Sequence, residues 1–283
     1  MAWYFLRVAD LEPIVKSELA NSRQIARLAR SLIVQMAHRA KTAHVGSSLS
    51  VVDILAVLYS GAANIHPENF DNLNRDFVLF SKGHAASAFY SILALKGFFP
   101  TKLLETYCTD GSALGGHVTH GGKPGVELST GSLGHGLPYG IGIAMSQKKA
   151  GSNAKTFVIM SDGECDEGTT WESALLAQQF QLSNLIVIID RNRLQSLTGT
   201  EQTLALEPFA EKWKAFNWNV ISIDGHSHDQ LRESLISQNG PLCVIAETTK
   251  GKGVSFMENS VLWHYRSPSD EELAKALQEL KAE

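Results

Sequence analysis

The sequence has few cysteines, and its charges nearly balance. Its 283 residues include only three cysteines, Cys108, Cys165 and Cys243, which lie far apart. An odd number at such spacing favours neither a disulfide framework nor a zinc site, so we expect reduced thiols. The formal net charge is -4. This balance gives no electrostatic reason to expect binding to nucleic acid or to an anionic membrane.

A long hydrophobic run is also lacking. The apolar patch at residues 3–6 is too short for a signal-peptide core and is followed at once by Arg7 and Asp10. No later apolar run approaches the roughly 20 residues that span a bilayer. We therefore expect a soluble cytoplasmic protein that is neither exported nor inserted into a membrane.

The composition that remains is typical of a globular enzyme domain. Hydrophobic residues make up 44% of the chain and charged residues 19%. Helical and strand patterns alternate without repeats or a long linker. We expect residues 1–283 to form a single domain with a helical N-terminal segment and a C-terminal surface helix. The predicted fold class is α/β, with a doubly wound, mostly parallel sheet.

The spacing of apolar residues predicts the position of each element. The predicted strands are residues 76–80, 157–160, 185–189, 219–223 and 243–246. The predicted helices include residues 25–36, 85–96, 167–180 and 269–282, and one that begins near His228. A further helix is predicted to start after Ser50, with Asp53 in its first turn. The last helix opens with a capping box formed by Ser269 and Glu272.

Polar residues follow two strands that one helix connects. Asp162 comes directly after the strand at 157–160, and Asn192 follows the strand at 185–189. A parallel crossover brings both strand ends to the same edge of the sheet, where open α/β folds bind ligands. A carboxylate beside an amide carbonyl suits magnesium held against a phosphate. The plainer alternative is turn chemistry alone, because Asp, Gly and Asn are ordinary loop residues.

The segment between residues 111 and 136 is unusually rich in glycine. It contains nine of the 23 glycines of the chain. Such a segment is unlike a regular element and favours close approach of the backbone to a ligand. Gly134 and Gly136 could open a dinucleotide-binding fingerprint, but Tyr139 stands where its last glycine belongs, so a nicotinamide site is not predicted.

Histidines add a second signal. Six of the ten lie in predicted loops, several beside glycine: His44, His84, His117, His120, His135 and His264. Imidazoles can donate and accept hydrogen bonds and move protons near pH 7, which suits a site that binds a sugar. A single loop histidine is more often structural, so the signal comes from the set.

Several of these segments resemble one enzyme family. Residues 161–163 with Asn192 resemble the thiamine diphosphate motif, with Ser161 in place of its first glycine. Residues 43–46, 76–85, 116–117 and 125–137 resemble the amino-terminal half of transketolases. The resemblance extends from about residue 26 to about residue 264. It implies a thiamine diphosphate-binding fold and an enzyme that transfers a two-carbon ketol unit from a ketose phosphate to an aldose acceptor.

The resemblance also implies a role for particular residues. It implies that Asp162, the Asn192 side chain and the Leu194 carbonyl hold magnesium, or calcium or manganese in its place. The residues that it implies for the cofactor are His84, Gly131, Ser132, Leu133, Gly163, Asn192 and His264. His44, His117 and His264 would face the sugar. Many relatives have proline where Ser132 stands, and Ser132 is familiar in the two-chain members.

The sequence leaves two possible roles open for each of two carboxylates, Glu167 and Asp190. In similar enzymes the residue at Glu167 joins a network between paired active sites at the dimer interface; equally, it could be a first-turn acid that favours the helix dipole. Asp190 could be a second metal ligand. A buried carboxylate that orders the turn after its strand is the favoured interpretation of Asp190.

The resemblance finally implies a partner. Full-length transketolases continue into a pyrimidine-binding domain whose glutamate activates the cofactor, whereas this sequence ends at Glu283. We therefore expect one subunit of a split transketolase, with a separate chain that carries the pyrimidine-binding domain, and a heterotetramer as the assembly. The alternatives are another thiamine diphosphate enzyme, such as a deoxyxylulose phosphate synthase or a keto-acid dehydrogenase component, and a non-catalytic regulatory subunit.

Overall fold

A parallel sheet forms the centre of the protein. The computed structural model describes residues 21–236 and 239–282. Within them the sheet has five strands, all parallel, in the order β1-β2-β3-β5-β4. The strands are β1 Phe77–Phe80, β2 Thr156–Ser161, β3 Leu185–Arg191, β4 Asn219–Asp224 and β5 Leu242–Glu247. The five predicted strands are confirmed to within one or two residues at each end.

Helices cover both faces of the sheet. The described residues form nine α-helices: α1 Ser22–Ala40, α2 Val45–Val57, α3 Ala86–Leu95, α4 Gly136–Lys149, α5 Gly168–Gln179, α6 Thr200–Thr203, α7 Phe209–Ala215, α8 His228–Ser234 and α9 Asp270–Ala282. Helices α1, α2, α3, α8 and α9 contribute to the core on one face, and α4, α5 and α7 contribute to the core on the other. The predicted doubly wound α/β fold is confirmed.

The strand residues alternate between the two cores. In β2, Phe157 and Ile159 join the first core, whereas Val158 and Met160 join the second. All six residues of β2 and all seven of β3 are buried. A strand covered on both faces is largely apolar, which is why the apolar runs at residues 157–160 and 185–189 predict these two strands so clearly.

The start of α2 differs from its prediction. The helix begins at Val45, so the predicted start after Ser50 is wrong. Serine favours a helix start in sequence because its hydroxyl competes for backbone groups. Here the hydroxyl of Ser50 donates to the buried Asp190 carboxylate at 2.6 Å, and every residue of α2 is buried. Asp53 therefore lies well inside the helix rather than in its first turn.

The tail helix matches its prediction. The backbone N–H of Glu272 donates to the Ser269 hydroxyl at 3.2 Å, and the Ser269 N–H donates to the Glu272 carboxylate at 2.8 Å. This is the predicted capping box. Leu273, Ala276 and Leu280 form the buried face of this helix, which packs on α1.

One described helical stretch is apolar enough to cross a membrane by length and composition alone. It is Val45–Ala62, with 18 residues and a mean hydropathy of 1.5, and 83% of it is buried inside the fold. A buried core helix passes the same test, so the stretch is weak support for a membrane span. The sequence-based expectation overlooked it because Asp53 and several serines interrupt the apolar residues. The patch at residues 3–6 lies outside the described residues.

Candidate functional site

The ends of β2 and β3 meet at the carboxyl edge of the sheet. The two strands pair in parallel, with Ser161 opposite Asp190. The next residues therefore face each other across the edge, and the backbone N–H of Arg193 donates to the Asp162 carboxylate at 2.7 Å. The side chains of Asp162 and Asn192 line one cavity. The predicted proximity of Asp162 and Asn192 thus matches the geometry.

The donor set at this edge suits a hard divalent cation. Asp162, Asn192 and Leu194 line the same cavity, and these residues contain a carboxylate, an amide oxygen and a main-chain carbonyl. Among the described residues, no group of three or more His, Cys, Asp or Glu is placed to hold a metal ion. A metal site here would consist of one carboxylate and neutral oxygen donors, which is a set of ligands that magnesium accepts.

Asp162 has fewer cationic partners than its burial requires. Its side chain is 2% exposed, and burial raises the pKa of its carboxyl to about 6. The Arg191 guanidinium, 3.3 Å away, lowers the pKa only in part, because it also contacts Glu201 and Glu207. A buried carboxylate in this state favours any further positive charge that reaches it.

Glu164 holds three sides of the cavity together. The hydroxyl of Ser81, after β1, donates to it at 2.5 Å. The backbone N–H of Ser161 donates at 2.8 Å, and that of Gly134 donates at 3.2 Å. Ser161 and Glu164 form a capping box, so the serine that replaces the glycine of the motif has a clear structural partner. Sequence reasoning missed Glu164, although a glutamate three residues after a serine is the usual sequence signal of a capping box.

Four histidines form a cluster across the cavity. The rings of His84, His117 and His264 each lie within 5.5 Å of the ring of His44, measured between centroids. His84 sits in the turn between β1 and α3, as predicted. His44 has a left-handed backbone with φ of 69°, and its N–H donates to the carbonyl of His264 at 2.9 Å. Four residues that are remote in sequence thereby share one wall.

Three of these imidazoles are neutral at pH 7. Burial lowers the pKa of His44 to about 4, helped by the nearby His117, Lys250 and Lys82. Burial also lowers the pKa of His264 to about 3 and that of His84 well below its ordinary value. Neutral imidazoles offer one donor and one acceptor each, which matches the hydroxyl groups of a sugar.

The glycine-rich segment supplies the opposite wall. Gly131 and Leu133 line the cavity. A side chain at Gly131 would lie 3.0 Å from the ring of His117, and the φ of 149° there is one that other residues rarely adopt. The segment forms no strand or α-helix before α4 begins at Gly136. Gly131 thus allows the backbone to pass close to His117, whereas a side chain at Gly111 or Gly122 would meet nothing within 4 Å. Close approach of the segment to a ligand stays a prediction.

Two of the predicted site residues lie outside this cavity. Ser132 is exposed and lines an adjacent cavity of about 580 Å³ with His135 and Tyr139. Glu167 is exposed at the residue before α5, and its side chain forms no hydrogen bond or ion pair with the described residues. Its β and γ carbons lie beside Gly134.

Asp190 does not line the cavity of the proposed metal ligands. Its carboxylate is fully buried and accepts hydrogen bonds from Lys82, Ser50 and Thr248. These contacts fit the interpretation in which Asp190 orders the turn after its strand, rather than that of a second metal ligand.

Lys250 is a buried cation that sequence reasoning missed as a site residue. It follows β5, and its ammonium donates to the carbonyls of Leu194 and Gln195 and to the Nδ1 atom of His264. Burial lowers its pKa to about 8. The available signal was its place in a polar turn after a strand at the functional edge.

Most of the predicted residues thus meet in one space of about 230 Å³. Those that line it are His44, His84, His117, Gly131, Leu133, Asp162, Gly163, Asn192, Leu194 and His264. Ser47, Ser161, Gln195 and Ser196 complete the lining and were not predicted.

Comparison with known proteins identifies the family. The model of the transketolase thiamine diphosphate binding domain matches residues 21–282. The chain is 43% identical over 257 residues to one of the apulose-4-phosphate transketolase subunits of Actinobacillus succinogenes, covering 90% of this chain and 93% of that protein. It is 36% identical over 262 residues to a 6-deoxy-6-sulfo-D-fructose transketolase subunit of a Clostridium species, covering 91% of this chain and 95% of that protein.

Solved structures agree with the sequence comparisons. The transketolase of Campylobacter jejuni superposes with a TM-score of 0.86 at 30% sequence identity, over 92% of this chain. The chain spans only 42% of the length of that solved protein. The resemblance that the motifs indicated is therefore confirmed: the chain belongs to the transketolase family, and its residues 21–282 match the thiamine diphosphate-binding domain of that family.

Proposed function

We propose that this chain is the cofactor-binding subunit of a two-chain transketolase. In this proposal the enzyme transfers a two-carbon ketol unit from a ketose donor to an aldose acceptor. One observation carries the proposal: the oxygen donors at the ends of β2 and β3 face the four-histidine cluster across a single cavity.

In this proposal, the carboxyl edge of the sheet binds the metal and the diphosphate of the cofactor. Asp162, Asn192 and the Leu194 carbonyl hold magnesium, while His84, Gly163 and Asn192 bind the diphosphate oxygens. Calcium or manganese can take the place of magnesium because the ligands are all oxygen atoms. Bound thiamine diphosphate supplies an electron sink that allows a bond beside a carbonyl to be broken and remade.

The histidines bind the sugar and move its protons. His44, His117 and His264 are proposed to face the substrate, where a neutral imidazole can accept a hydroxyl proton as an oxygen becomes a carbonyl. The lowered pKa of His44 supports this role, because its ring keeps an acceptor nitrogen at neutral pH. The Nδ1 atom of His264 already accepts from Lys250, so this ring offers its Nε2 atom to the cavity. Gly131 and Leu133 restrict the space beside them.

A second chain is proposed to complete the active site. Three relatives that match this chain over almost their whole length are themselves named as subunits of transketolases. The cavity that Ser132 lines opens beside the cofactor site and is bounded by Tyr139, which is 49% exposed. On α5, which packs against α4, Leu175 and Leu176 are 61% and 45% exposed. These surfaces support pairing with the chain that carries the pyrimidine-binding domain, and a heterotetramer of two such pairs.

The substrate is proposed to be a ketose with an anionic group at the far end from the carbonyl. The names of two relatives specify apulose-4-phosphate and 6-deoxy-6-sulfo-D-fructose, which end in a phosphate and a sulfonate. Among the described residues that line the cavity, none is arginine or lysine. We therefore assign recognition of the anionic end to the partner chain.

The decisive experiment compares the chain alone with the chain plus its candidate partner. Both samples receive thiamine diphosphate and magnesium, with apulose 4-phosphate, 6-deoxy-6-sulfo-D-fructose or an ordinary ketose phosphate as donor. We expect turnover only in the two-chain sample. Turnover by the isolated chain would contradict the two-chain proposal, and a lack of magnesium-dependent cofactor binding in both samples would favour a non-catalytic subunit.

Two further expectations stay predictions. We expect residues 1–283 to behave as a single folding unit, which one cooperative unfolding transition would support. We also expect the assembled enzyme to work in the cytoplasm.

A further inference from the structure

Two buried lysines lie near the cofactor site, and they differ in their partners. Both Lys82 and Lys250 are 0% exposed. Lys82 forms an ion pair with the carboxylate of Asp190. Lys250 has no carboxylate within ion-pair distance among the described residues. Burying an ammonium group without a carboxylate costs free energy unless hydrogen bonds compensate it. The hydrogen-bond partners of Lys250 therefore show how its charge is stabilised.

The ammonium of Lys250 uses every proton that it has. It donates to the Leu194 carbonyl at 3.0 Å, to the Gln195 carbonyl at 3.0 Å and to Nδ1 of His264 at 3.1 Å. A protonated lysine has three N–H donors and no acceptor. The three partners therefore account for the whole group, and each partner must act as an acceptor.

This requirement decides the tautomer of His264. A neutral imidazole carries one proton, on either Nδ1 or Nε2. Because Lys250 can only donate, Nδ1 of His264 must present its lone pair, and the proton lies on Nε2. The ring then directs an N–H donor away from Lys250. His264 lines the cavity with Asp162 and Gly163, where an N–H donor suits an anionic oxygen.

The backbone and packing hold Lys250 in this position. A side chain at Gly46 would lie 3.1 Å from the γ carbon of Lys250, so the lysine stem passes close over the start of α2. The N–H of Gly251 donates to the Gly46 carbonyl at 3.0 Å, and the N–H of Asn259 donates to the Lys250 carbonyl at 2.9 Å. The ammonium thus has little freedom to leave its three acceptors.

We propose that Lys250 is a positioning residue for cofactor binding: it fixes His264 as the Nε2–H tautomer and restrains the Leu194 carbonyl, which the proposed function assigns to the metal. This inference rests on the proposed function, because it gives these two groups a ligand to contact. Outer groups that orient metal ligands and fix imidazole tautomers typically contribute about 10–100-fold to affinity.

The first test reads the tautomer directly. Nitrogen NMR of the full chain with ring-labelled histidine, assigned with a His264→Asn sample, distinguishes a protonated Nε2 from a protonated Nδ1. We expect His264 to be the Nε2–H form in the unsubstituted chain. An Nδ1–H form would overturn the proposal without any lysine variant.

The second test replaces the lysine. Lys250→Met keeps most of the stem and removes the donors, whereas Lys252→Met removes a nearby lysine whose side chain has no ion-pair partner among the described residues. We expect Lys250→Met to weaken calorimetric binding of thiamine diphosphate with magnesium by about 10–100-fold. We also expect the His264 signal of this variant to become that of a mixed tautomer. Lys252→Met should change neither result, and thermal unfolding of both variants identifies a loss of folding.

The outcomes separate the inference from the proposed function. If the unsubstituted chain, alone and with its partner, does not bind thiamine diphosphate with magnesium, the proposed function fails. If that chain binds and Lys250→Met binds equally well with an unchanged His264 tautomer, only the role of Lys250 fails.

Discussion

Two buried carboxylates of this protein have opposite electrostatic surroundings. Asp53, inside α2, accepts hydrogen bonds from Arg30 at 2.5 Å, His226 at 2.7 Å and His228 at 3.0 Å. Burial alone would raise the pKa of Asp53, but these partners outweigh it and hold the pKa far below its ordinary value. The charge of Asp53 is therefore balanced within the fold.

The negative charge of Asp162 is balanced less completely by its neighbours. It is as deeply buried as Asp53, yet its one guanidinium partner is shared, and the pKa of its carboxyl is raised to about 6. This difference is the one expected if Asp53 stabilises the fold and Asp162 has the proposed role of binding a metal ion. A carboxyl group whose pKa is raised by uncompensated burial beside a cavity is a candidate functional group, whereas one whose pKa is lowered by several cationic or hydrogen-bond partners is typical of a structural network.

Replacing Asp162 should produce the largest effect. We expect Asp162→Asn to weaken magnesium-dependent binding of thiamine diphosphate by more than about 100-fold, because it removes the only anionic group of the proposed metal site. The ligand-free variant should be as stable as the original chain or more stable, because the buried carboxylate is removed while Arg191 keeps Glu201 and Glu207 as partners. Calorimetry and thermal unfolding measure the two effects; a large loss of stability would give Asp162 the same structural role as Asp53.

Replacing Asp53 should have the opposite pattern. We expect Asp53→Asn to lower the free energy of unfolding by about 3 kcal/mol, because it leaves Arg30 buried without its carboxylate. Cofactor affinity below the unfolding transition should stay within about threefold of the original value, since Asp53 lies outside the cofactor cavity. Denaturant unfolding and calorimetry measure these quantities. Lost affinity in a folded variant would remove the contrast between the two carboxylates.

The pH dependence of stability should separate the two residues further. The folded-state pKa of Asp53 is depressed, so this residue stabilises the fold when it is ionised. Its contribution to the free energy of unfolding is fully present above the unfolded-state pKa near 3.8 and is lost as the pH falls below that value. The folded-state pKa of Asp162 is raised, so ionising this residue destabilises the ligand-free chain. This destabilisation is absent below pH 3.8 and grows as the pH rises toward about 6. Unfolding of each Asp→Asn variant and the original chain between pH 3 and 7 measures the two differences. Parallel curves would refute the assignment.

The exposed Glu167 should give the smallest effect on the isolated chain. Glu167→Gln should change stability by no more than about 1 kcal/mol, the size of a helix-dipole contribution, and should leave cofactor binding unchanged. If the residue joins a network between paired sites, the variant should weaken assembly with the partner chain. Sedimentation of the two-chain mixture measures this effect. Unchanged assembly would favour the helix-dipole interpretation.

The fold could be predicted because its signals are local or follow from topology. The fully apolar runs of β2 and β3 required a sheet covered on both faces, and a parallel crossover allowed only one edge for Asp162 and Asn192. The histidine cluster was indicated by loop position and by resemblance to a family. These inferences required no knowledge of side-chain packing.

The parts that were missed depend on contacts between distant segments. The start of α2 could not be predicted because the serines in it find partners only in the folded core. Lys250 looks like an ordinary loop residue in sequence, and only the structure places it against His264 and the carbonyls after β3. Buried polar groups of this kind are specified by tertiary geometry, which residue spacing does not encode.

The contacts of Glu164 have a consequence for how this enzyme can diversify. Because one carboxylate ties the turns after β1 and β2 to the glycine-rich segment, none of these three walls can shift alone to admit a differently shaped sugar. Under the proposed function, new substrates would then be accommodated by point changes around the histidines or by the proposed partner chain, while the three segments that Glu164 connects keep their arrangement.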